Sequence, residues 1–169
     1  MDEPRKEFLI CFDPEKCIQC HGCEIACKTW RDLNYGIQYR RVLNIWQGEY
    51  PRVKNASLSM ACLHCAEPAC VSACPEEAIT KRVKDGLVVV DETLCNGCGI
   101  CAEACAYGIP QFGDNGIMQK CDLCRDQQLA QADPPCVDTC PGKALSFIKV
   151  SQAEKMVHED KIAQRYRLS

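Results

Sequence analysis

The sequence has few aromatic residues, no long apolar segment and no excess of basic residues. Aromatic side chains make up 7% of the 169 residues, and the longest aliphatic run covers only positions 87–90. A membrane-spanning helix needs about 20 consecutive apolar residues, so we expect none in this chain. The 20 basic and 23 acidic residues give a formal charge of −3, which excludes the strongly basic surface typical of nucleic-acid-binding proteins.

Targeting and catalytic motifs are also missing from the sequence. The apolar segment at 8–12 is followed at once by Asp13 and Pro14, so it is shorter than the apolar region of a signal peptide. No twin-arginine start is present, since Arg40 and Arg41 are internal. No phosphate-binding glycine loop, nucleophile motif or acid and base pair stands out, and we therefore expect a protein that does not itself transform a substrate.

Cysteine is the residue in large excess, with 17 in 169. Sixteen of them form four groups of four, and every group begins with C-x2-C and ends with C-x3-C, which is an internal repeat. Groups one and three have the compact spacing C-x2-C-x2-C-x3-C, at Cys17, Cys20, Cys23 and Cys27 and at Cys95, Cys98, Cys101 and Cys105. Groups two and four have a longer middle segment, at Cys62, Cys65, Cys70 and Cys74 and at Cys121, Cys124, Cys136 and Cys140.

These spacings predict iron–sulfur clusters. Thiolate is a soft ligand that suits zinc, copper(I) and iron–sulfur clusters, and the compact spacing is that of bacterial ferredoxins, whose fourth cysteine binds the other cluster of a pair. Structural zinc sites use C-x2-C pairs separated by a longer spacer, so a third cysteine at the x2 spacing has no role in them. The odd number of cysteines and their tight grouping argue against a disulfide scaffold.

The remaining residues with chemical potential are expected to be structural. Cys11 lies outside the four groups and is expected to be a buried thiol on the first strand. His21 and His64 are expected to be solvated or to face sulfur without binding metal, because sixteen cysteines suffice. Four aromatic residues are expected to serve in packing rather than in electron transfer: Trp30, Tyr35, Tyr39 and Trp46.

Short secondary-structure elements are predicted between the cysteine groups. Strands are expected at both ends of the repeat, at 8–12 and 144–150. Two hairpins are expected between them: one with a glycine turn, from 79–83 and 87–90, and one within the insert 35–60. Helices are expected at the third cysteine of each compact group, at 24–33 and 99–104. Two further helices are expected at 122–132 and 152–165.

The sequence resembles the four-cluster iron–sulfur subunits of molybdopterin oxidoreductases, such as those of dimethyl sulfoxide reductase, polysulfide reductase, respiratory nitrate reductase and formate dehydrogenase. The resemblance extends over about residues 8–150 and is strongest in the stretches 17–28, 62–70 and 119–124. It is greatest to the dimethyl sulfoxide reductase type. The nitrate reductase subunit has tryptophan in place of one cysteine of group three, whereas this chain keeps Cys98.

The resemblance implies four 4Fe-4S clusters, with group one paired with group four and group two with group three. Clusters A and B would then be bound by Cys17, Cys20, Cys23 and Cys140 and by Cys27, Cys121, Cys124 and Cys136. Clusters C and D would be bound by Cys62, Cys65, Cys70 and Cys105 and by Cys74, Cys95, Cys98 and Cys101.

The fold implied is α+β, with two pseudo-symmetric halves that resemble bacterial ferredoxins and are intertwined in sequence. Residues 1–35 and 115–169 would form the A/B half, including a C-terminal helix. Residues 36–114 would form the C/D half, which includes most of the β-hairpin insert 35–60.

The function implied is electron transport in anaerobic metabolism. The chain would be a non-catalytic subunit that relays single electrons through its clusters between a large molybdopterin or tungstopterin catalytic subunit and a second redox partner. That second partner would be a membrane quinone-reactive subunit or another electron-transfer subunit. The alternative is a freely diffusing polyferredoxin without a fixed enzyme. A cytoplasmic location is expected, with membrane association through a partner, or export with a signal-bearing catalytic subunit, as alternatives.

Basic residues are distributed unevenly among the cysteine groups. More of them lie near groups one and four than near groups two and three. Those near groups one and four are Lys16, Lys28, Arg31, Lys120, Arg125, Lys143 and Lys149. Positive charge stabilises the more negative, reduced form of a cluster. The sequence therefore predicts higher reduction potentials for A and B than for C and D.

Overall fold

The computed structural model describes residues 8–125 and 132–153, in which eight strands pair as four two-stranded antiparallel sheets. The strands are β1 (Phe8–Phe12), β2 (Arg40–Gln47), β3 (Lys54–Ala61), β4 (Ile79–Lys81), β5 (Val88–Val90), β6 (Gln111–Phe112), β7 (Met118–Gln119) and β8 (Leu145–Lys149). The helices bounded within the described residues are α1 (Gly22–Trp30), α2 (Ala69–Ser72), α3 (Ile100–Ala104) and α4 (Pro135–Asp138). This combination confirms the α+β class.

The first and last described strands pair with each other, which closes the chain on itself. β1 and β8 are antiparallel, with Phe8 opposite Lys149 and Phe12 opposite Leu145. The rings of Phe8 and Phe147 stack with their centroids 5.1 Å apart, and this cross-strand aromatic contact helps to set the register. Both predicted terminal strands are confirmed, and their pairing brings cysteine groups one and four to the same end of the molecule.

The insert at 35–60 forms the predicted hairpin, from β2 and β3, with Arg40 opposite Ala61 and Gln47 opposite Lys54. The end of the hairpin nearest the core is buried, at Arg40 and Val42 of β2 and at Ser57, Ser59 and Ala61 of β3. The rest extends beyond the core. The packing role predicted for three aromatic residues is therefore wrong, because Trp30 is 53%, Trp46 68% and Tyr35 100% exposed. Tyr39 does pack against the core.

Two smaller hairpins lie in the middle of the chain. β4 and β5 form the predicted one, in which Gly86 adopts the left-handed conformation (φ +66°) that its turn requires. β6 and β7 form a hairpin that the sequence analysis missed. Its turn contains Asn115 and Gly116, a dipeptide that favours tight hairpins, but strands of two residues have no detectable alternation of apolar and polar side chains.

The helices are short and begin next to cysteines. The helices predicted after the third cysteines of groups one and three are observed as α1 and α3. The sequence analysis missed α2 and α4, which follow Pro68 and Pro134 directly and each contain a third cysteine; the fixed φ of proline favours the start of a helix. The helices predicted at 122–132 and 152–165 lie largely outside the described residues.

Cysteine contributes much of the interior. One core cluster contains Cys23, Cys27 and Cys136 beside Val42, Val137 and Leu145. The other contains Cys101 beside Ile79, Val88 and Met118, with Cys70, Cys74 and Cys95 packed against it. Helix α1 packs against α4, and α2 against α3. Over residues 8–125 and 132–153, no helix is long and apolar enough to cross a membrane.

Candidate iron–sulfur sites

All four C-x2-C segments share one backbone feature. The residue before the second cysteine is left-handed in each group, with φ between +47° and +74°: Gln19, His64, Gly97 and Leu123. In groups three and four the side chain after the first cysteine also accepts a hydrogen bond from the backbone N–H of the second cysteine. These pairs are Asn96 with Cys98 and Asp122 with Cys124, both at 3.0 Å. Alternation of right- and left-handed residues turns successive N–H groups inward and creates a concavity that favours anions.

Group one and the end of group four enclose a cavity near β1 and β8. Its lining includes Val42 and Ser59 from the insert hairpin. It also includes four cysteines from the two groups: Cys17, Cys20, Cys23 and Cys140. The backbone N–H of Ala144 donates to Cys140 Sγ at 3.2 Å. The cysteines that line this cavity are those predicted for cluster A.

A second cavity lies between α3 and the small hairpins. Its lining includes one cysteine of group two and three of group three: Cys74, Cys95, Cys98 and Cys101. Burial raises the pKa of the Cys101 thiol, and the thiols of Cys98, Cys74 and Cys95 raise it further. The backbone N–H of Met118 donates to Cys95 Sγ at 3.5 Å. The cysteines that line this cavity are those predicted for cluster D.

The cysteines predicted for cluster B are buried and interact with one another. Burial raises the pKa of the Cys27 thiol to about 12, and the neighbouring thiols of Cys136 and Cys124 raise it further. Burial also raises the pKa of Cys121 to about 12, with a smaller contribution from Cys27. Because metal binds the deprotonated thiol, assembly of a cluster here must displace protons that burial favours.

The cysteines predicted for cluster C also lie together. Burial raises the pKa of the Cys70 thiol to about 11, and the thiols of Cys62, Cys105 and Cys65 raise it further. Cys70 belongs to α2 and Cys105 ends α3. The packing of these two helices therefore brings the fourth cysteine of group three to the first three cysteines of group two.

Neighbouring cysteine sets also lie close enough for their thiols to affect each other's pKa. The thiols of Cys23 and Cys136 interact, which connects the sets predicted for A and B. Those of Cys121 and Cys62 interact, which connects the sets predicted for B and C. Cys70 packs against the core cluster that contains Cys101, and it connects the sets for C and D. These interactions link the four sets in the order A, B, C, D.

Several basic residues differ in placement from what the sequence suggested. Lys120 is buried, and its Nζ donates to the backbone oxygens of Val88 and Cys121, so it lies between groups four and two and not at the surface. Its positive charge lowers the pKa of Cys70, against the larger effect of burial. Arg31 pairs with Asp122, at 2.7 Å from Nη2 to Oδ1.

Arg40 is a residue that the sequence analysis missed. It is 4% exposed and lies near Cys136, Cys121 and Cys23. Even Cys27, the nearest cysteine along the sequence, is thirteen positions away. The place of Arg40 beside the cysteines therefore follows only from the path of β2.

The three residues expected to be bystanders have distinct environments. Cys11 lies half-buried on β1, opposite Ser146 of β8. His21 hydrogen bonds to Glu24, with 2.9 Å between Nδ1 and Oε2. His64 is 2% exposed, and its Nδ1 accepts a hydrogen bond from the Val88 N–H at 3.0 Å. Of its two expected placements, solvated or facing sulfur, burial excludes the first.

The residues present are suited to iron–sulfur clusters. Each of the four sets brings thiols together and includes desolvated ones, and thiolate is the ligand such clusters use. Two of the sets surround cavities. In the described part of the chain, no three His, Cys, Asp or Glu side chains converge closely enough to hold a single metal ion. Thiols grouped in this way are the ligands that an iron–sulfur cluster requires.

Two family models match the chain. The one described as 4Fe-4S dicluster domain matches residues 53–150, and the one described as 4Fe-4S binding domain matches residues 14–30. The first contains cysteine groups two, three and four, and the second contains group one.

Several curated proteins are similar over most of the chain. The B subunit of anaerobic dimethyl sulfoxide reductase from Escherichia coli is 40% identical over 158 residues, which cover 88% of this chain and 77% of the relative. The formate dehydrogenase iron–sulfur subunit of Wolinella succinogenes is 42% identical over 66% of this chain and 58% of the relative. The thiosulfate reductase electron transfer subunit of Salmonella typhi is 32% identical over 91% and 82%, respectively.

Proposed function

This chain belongs to the family of iron–sulfur electron-transfer subunits of oxidoreductases that contain the 4Fe-4S dicluster domain, and on that basis we propose a four-cluster electron relay. Its cofactors are 4Fe-4S clusters, and the chain is not itself a catalyst. In our proposal, single electrons pass between a large molybdopterin or tungstopterin catalytic subunit and a second redox partner. That partner is a membrane quinone-reactive subunit or another electron-transfer subunit.

The proposed ligands are the four sets of cysteines that adjoin one another. Two observations support them for A and D, where all four cysteines of each set line one cavity. Mutual electrostatic effects among the thiols support B and C. In each set, three ligands come from one group and the fourth comes from a group distant in sequence, as in two-cluster ferredoxins.

We also propose that the chain divides into two intertwined halves, residues 1–35 with 115–169 and residues 36–114. The pairing of β1 with β8 and the packing of α1 on α4 support the first half. The packing of α2 on α3 supports the second. Each half then has one helix pair whose members exchange cysteines between two sites.

The observation that carries the relay is the succession of the four sets. Electrostatic interactions between Cys23 and Cys136 and between Cys121 and Cys62 link three of them, and Cys70, which packs against the core cluster of Cys101, links the third to the fourth. When bound, a 4Fe-4S cluster accepts and returns one electron. Adjoining sites keep each transfer distance short, so a charge can cross the thickness of the protein in steps.

The protein contributes hydrogen bonds and desolvation at these sites. Backbone N–H groups donate to sulfur at Cys140 (3.2 Å), Cys121 (3.4 Å) and Cys95 (3.5 Å). Such hydrogen bonds favour the more negative state of a ligated sulfur, and burial opposes it. The chain therefore sets the reduction potential of each site locally.

Exposed apolar side chains support a bound subunit over a freely diffusing polyferredoxin. The insert hairpin exposes Leu43, Ile45 and Trp46, with Tyr50 and Val53 in its connection. Grouped exposed apolar residues are typical of surfaces that another protein covers. We propose that the catalytic subunit covers this hairpin. The complex would lie in the cytoplasm, or at a membrane if a partner subunit attaches it there.

Anaerobic purification of the tagged chain tests the function. We expect a large, pterin-containing chain to co-purify in stoichiometric amount, and substrate of that enzyme to change the redox state of the iron–sulfur signals. Trp46→Ser should lower the amount of co-purified catalytic chain about tenfold. Val83 is similarly exposed, on another hairpin, and Val83→Ser should leave that amount unchanged. An iron-loaded chain that elutes alone, without any pterin-containing chain, would contradict the subunit proposal and favour the polyferredoxin.

A further inference from the structure

Two side chains stand out as charged groups inside the protein. Within residues 8–125 and 132–153, the only buried Lys, Arg, Asp or Glu residues are Arg40, 4% exposed, and Lys120, 5% exposed. Both are cations, and no carboxylate in this part of the chain is buried with them. Fixed charge of one sign in an interior requires a negative partner.

The position of Arg40 follows from the alternation along β2. Side chains of successive residues point to opposite faces of a strand, and Arg40 and Val42 are buried while Arg41 between them is half-buried. Arg41 instead donates from Nη2 to the carbonyl oxygen of Gly108 at 2.7 Å. Adjacent arginines of equal charge therefore have different surroundings, one inside and one at the surface.

The partners of Arg40 belong to the A and B sites. Its Nη1 donates to Ser59 Oγ at 3.0 Å, and Ser59 Oγ is 3.7 Å from Cys23 Sγ. Val42, which is buried two residues further along β2, packs in one core cluster with Cys23, Cys27 and Cys136, so this face of the strand adjoins cysteines of both sets. Burial lowers the pKa of Arg40, but the thiolates of Cys136, Cys121 and Cys23 outweigh it and raise the pKa. Arg40 in turn lowers the pKa of Cys23, Cys27 and Cys121, against the larger effect of burial.

Such a site is costly unless negative charge accompanies it. Arginine stays protonated in proteins, and a buried cation without an anion is strongly destabilising. Around Arg40 the candidate anions are sulfurs of cysteines from both sets, and its hydrogen bond to Ser59 holds the guanidinium near Cys23. Salt screens a buried charge much less than an exposed one.

We propose that Arg40 is the internal counterion shared by clusters A and B and that it raises the reduction potentials of both. This inference rests on the ligand sets of the proposed function, and it adds a residue outside the cysteine groups that tunes two sites at once. Because reduction adds one negative charge at either site, a fixed positive charge between them stabilises the reduced state.

The test is a redox titration of the full-length, anaerobically purified chain, followed by electron paramagnetic resonance. Arg40→Gln should lower the potentials of both A and B, so that the equilibrium constant for reduction of each falls by at least about tenfold, about 59 mV for a one-electron couple. Arg41→Gln, with the same loss of charge one residue away, is the matched control and should leave both potentials unchanged. High salt should not abolish the difference between the two variants.

Arg40→Lys separates charge from shape. It keeps the positive charge without the planar guanidinium, so we expect potentials near those of the parent chain and an unchanged iron content. Should Arg40→Gln fail to retain iron, full retention by Arg40→Lys and Arg41→Gln would support the counterion role. Equal potentials in Arg40→Gln and Arg41→Gln, or equal losses in Arg40→Gln and Arg40→Lys, would overturn it. Neither result depends on a partner protein, so the relay proposal would stand or fall separately.

Discussion

Lys120 illustrates how one residue can influence a site to which it does not belong. It precedes the first cysteine of group four in sequence, yet its ammonium lies beside Val88 and lowers the pKa of Cys70, in the set predicted for cluster C. The side chain is buried, so its charge acts through a medium of low dielectric constant, in which it is felt more strongly than at the surface. The charge balance at the cysteines predicted for cluster C therefore includes a residue that adjoins group four in the sequence.

Replacement of Lys120 by Met should lower the reduction potential of cluster C. Loss of a buried cation next to Cys70 removes stabilisation of the reduced state, and we expect a decrease of about 60 mV, or tenfold in the equilibrium constant. Lys84→Met removes an equal charge from an exposed turn and serves as the control. A redox titration that gives the same cluster C potential for both variants would contradict this prediction.

The ligand sets can be tested at single cysteines. Cys98 lines the D cavity, whereas Cys11 lies on β1 outside all four sets. Cys98→Ser should convert or remove only cluster D, while Cys11→Ser should keep about sixteen iron and sixteen sulfide, the content of four 4Fe-4S clusters. Iron and sulfide analysis with electron paramagnetic resonance would measure both. Loss of iron in Cys11→Ser, or none in Cys98→Ser, would show that the sets are wrong.

At the scale of elements, loops approach each other closely enough to require glycine. A Cβ on Gly142 would lie 2.3 Å from the carbonyl oxygen of Lys16. This contact joins the loop after Cys140 to the loop before Cys17, and both cysteines line the A cavity. The geometry of the site therefore depends on a backbone contact between cysteine groups one and four.

Gly142→Ala should impair cluster A selectively. The two loops must separate to admit the methyl group, which moves Cys140 away from Cys17, so we expect a loss of about four of sixteen irons. Gly36→Ala is a suitable control, because Gly36 is left-handed (φ +82°) with open space around its Cβ position, and it costs only about 1–2 kcal/mol of backbone strain. Full iron content in Gly142→Ala would contradict the proposed contribution of Cys140 to this site.

At the scale of the whole molecule, the cluster sites are inseparable from the core. Cys23, Cys27 and Cys136 supply half of one core cluster, and Cys101 belongs to the other. Each sheet has only two strands, and isolated two-stranded sheets are marginally stable in water. Stability therefore depends on what the cysteines bind, as it does in small domains with structural metals.

Removal of the iron should unfold the chain. Treatment with a chelator under air leaves buried thiols and cavities in place of bound clusters, and we expect loss of the cooperative thermal transition and of the far-ultraviolet dichroism of the folded state. Protein kept anaerobically in the same buffer without chelator is the control. A cluster-free chain with a cooperative transition would show instead that the aliphatic residues suffice for folding.

The cofactor class and the longer elements could be predicted from the order of residues. The cofactor class follows from cysteine spacing, which is a local property. The loop from Cys17 to Cys23 is too short to adopt many shapes, and its spacing is typical of iron–sulfur ligands. The strand at Phe8–Phe12 and the hairpin of β4 and β5 were predictable for a similar reason, because apolar runs and a glycine turn operate over a few residues.

The contacts that these elements make with distant parts of the chain could be read only from the folded structure. The burial of Arg40 near Cys23 and Cys136, the proximity of Cys121 to Cys62 and the exposure of Trp46 all depend on how distant segments pack. No local pattern specifies these contacts, because each joins residues far apart in the chain whose own neighbourhoods are compatible with several placements. Sequence spacing therefore identifies the ligands as cysteines, while packing determines which charges surround them.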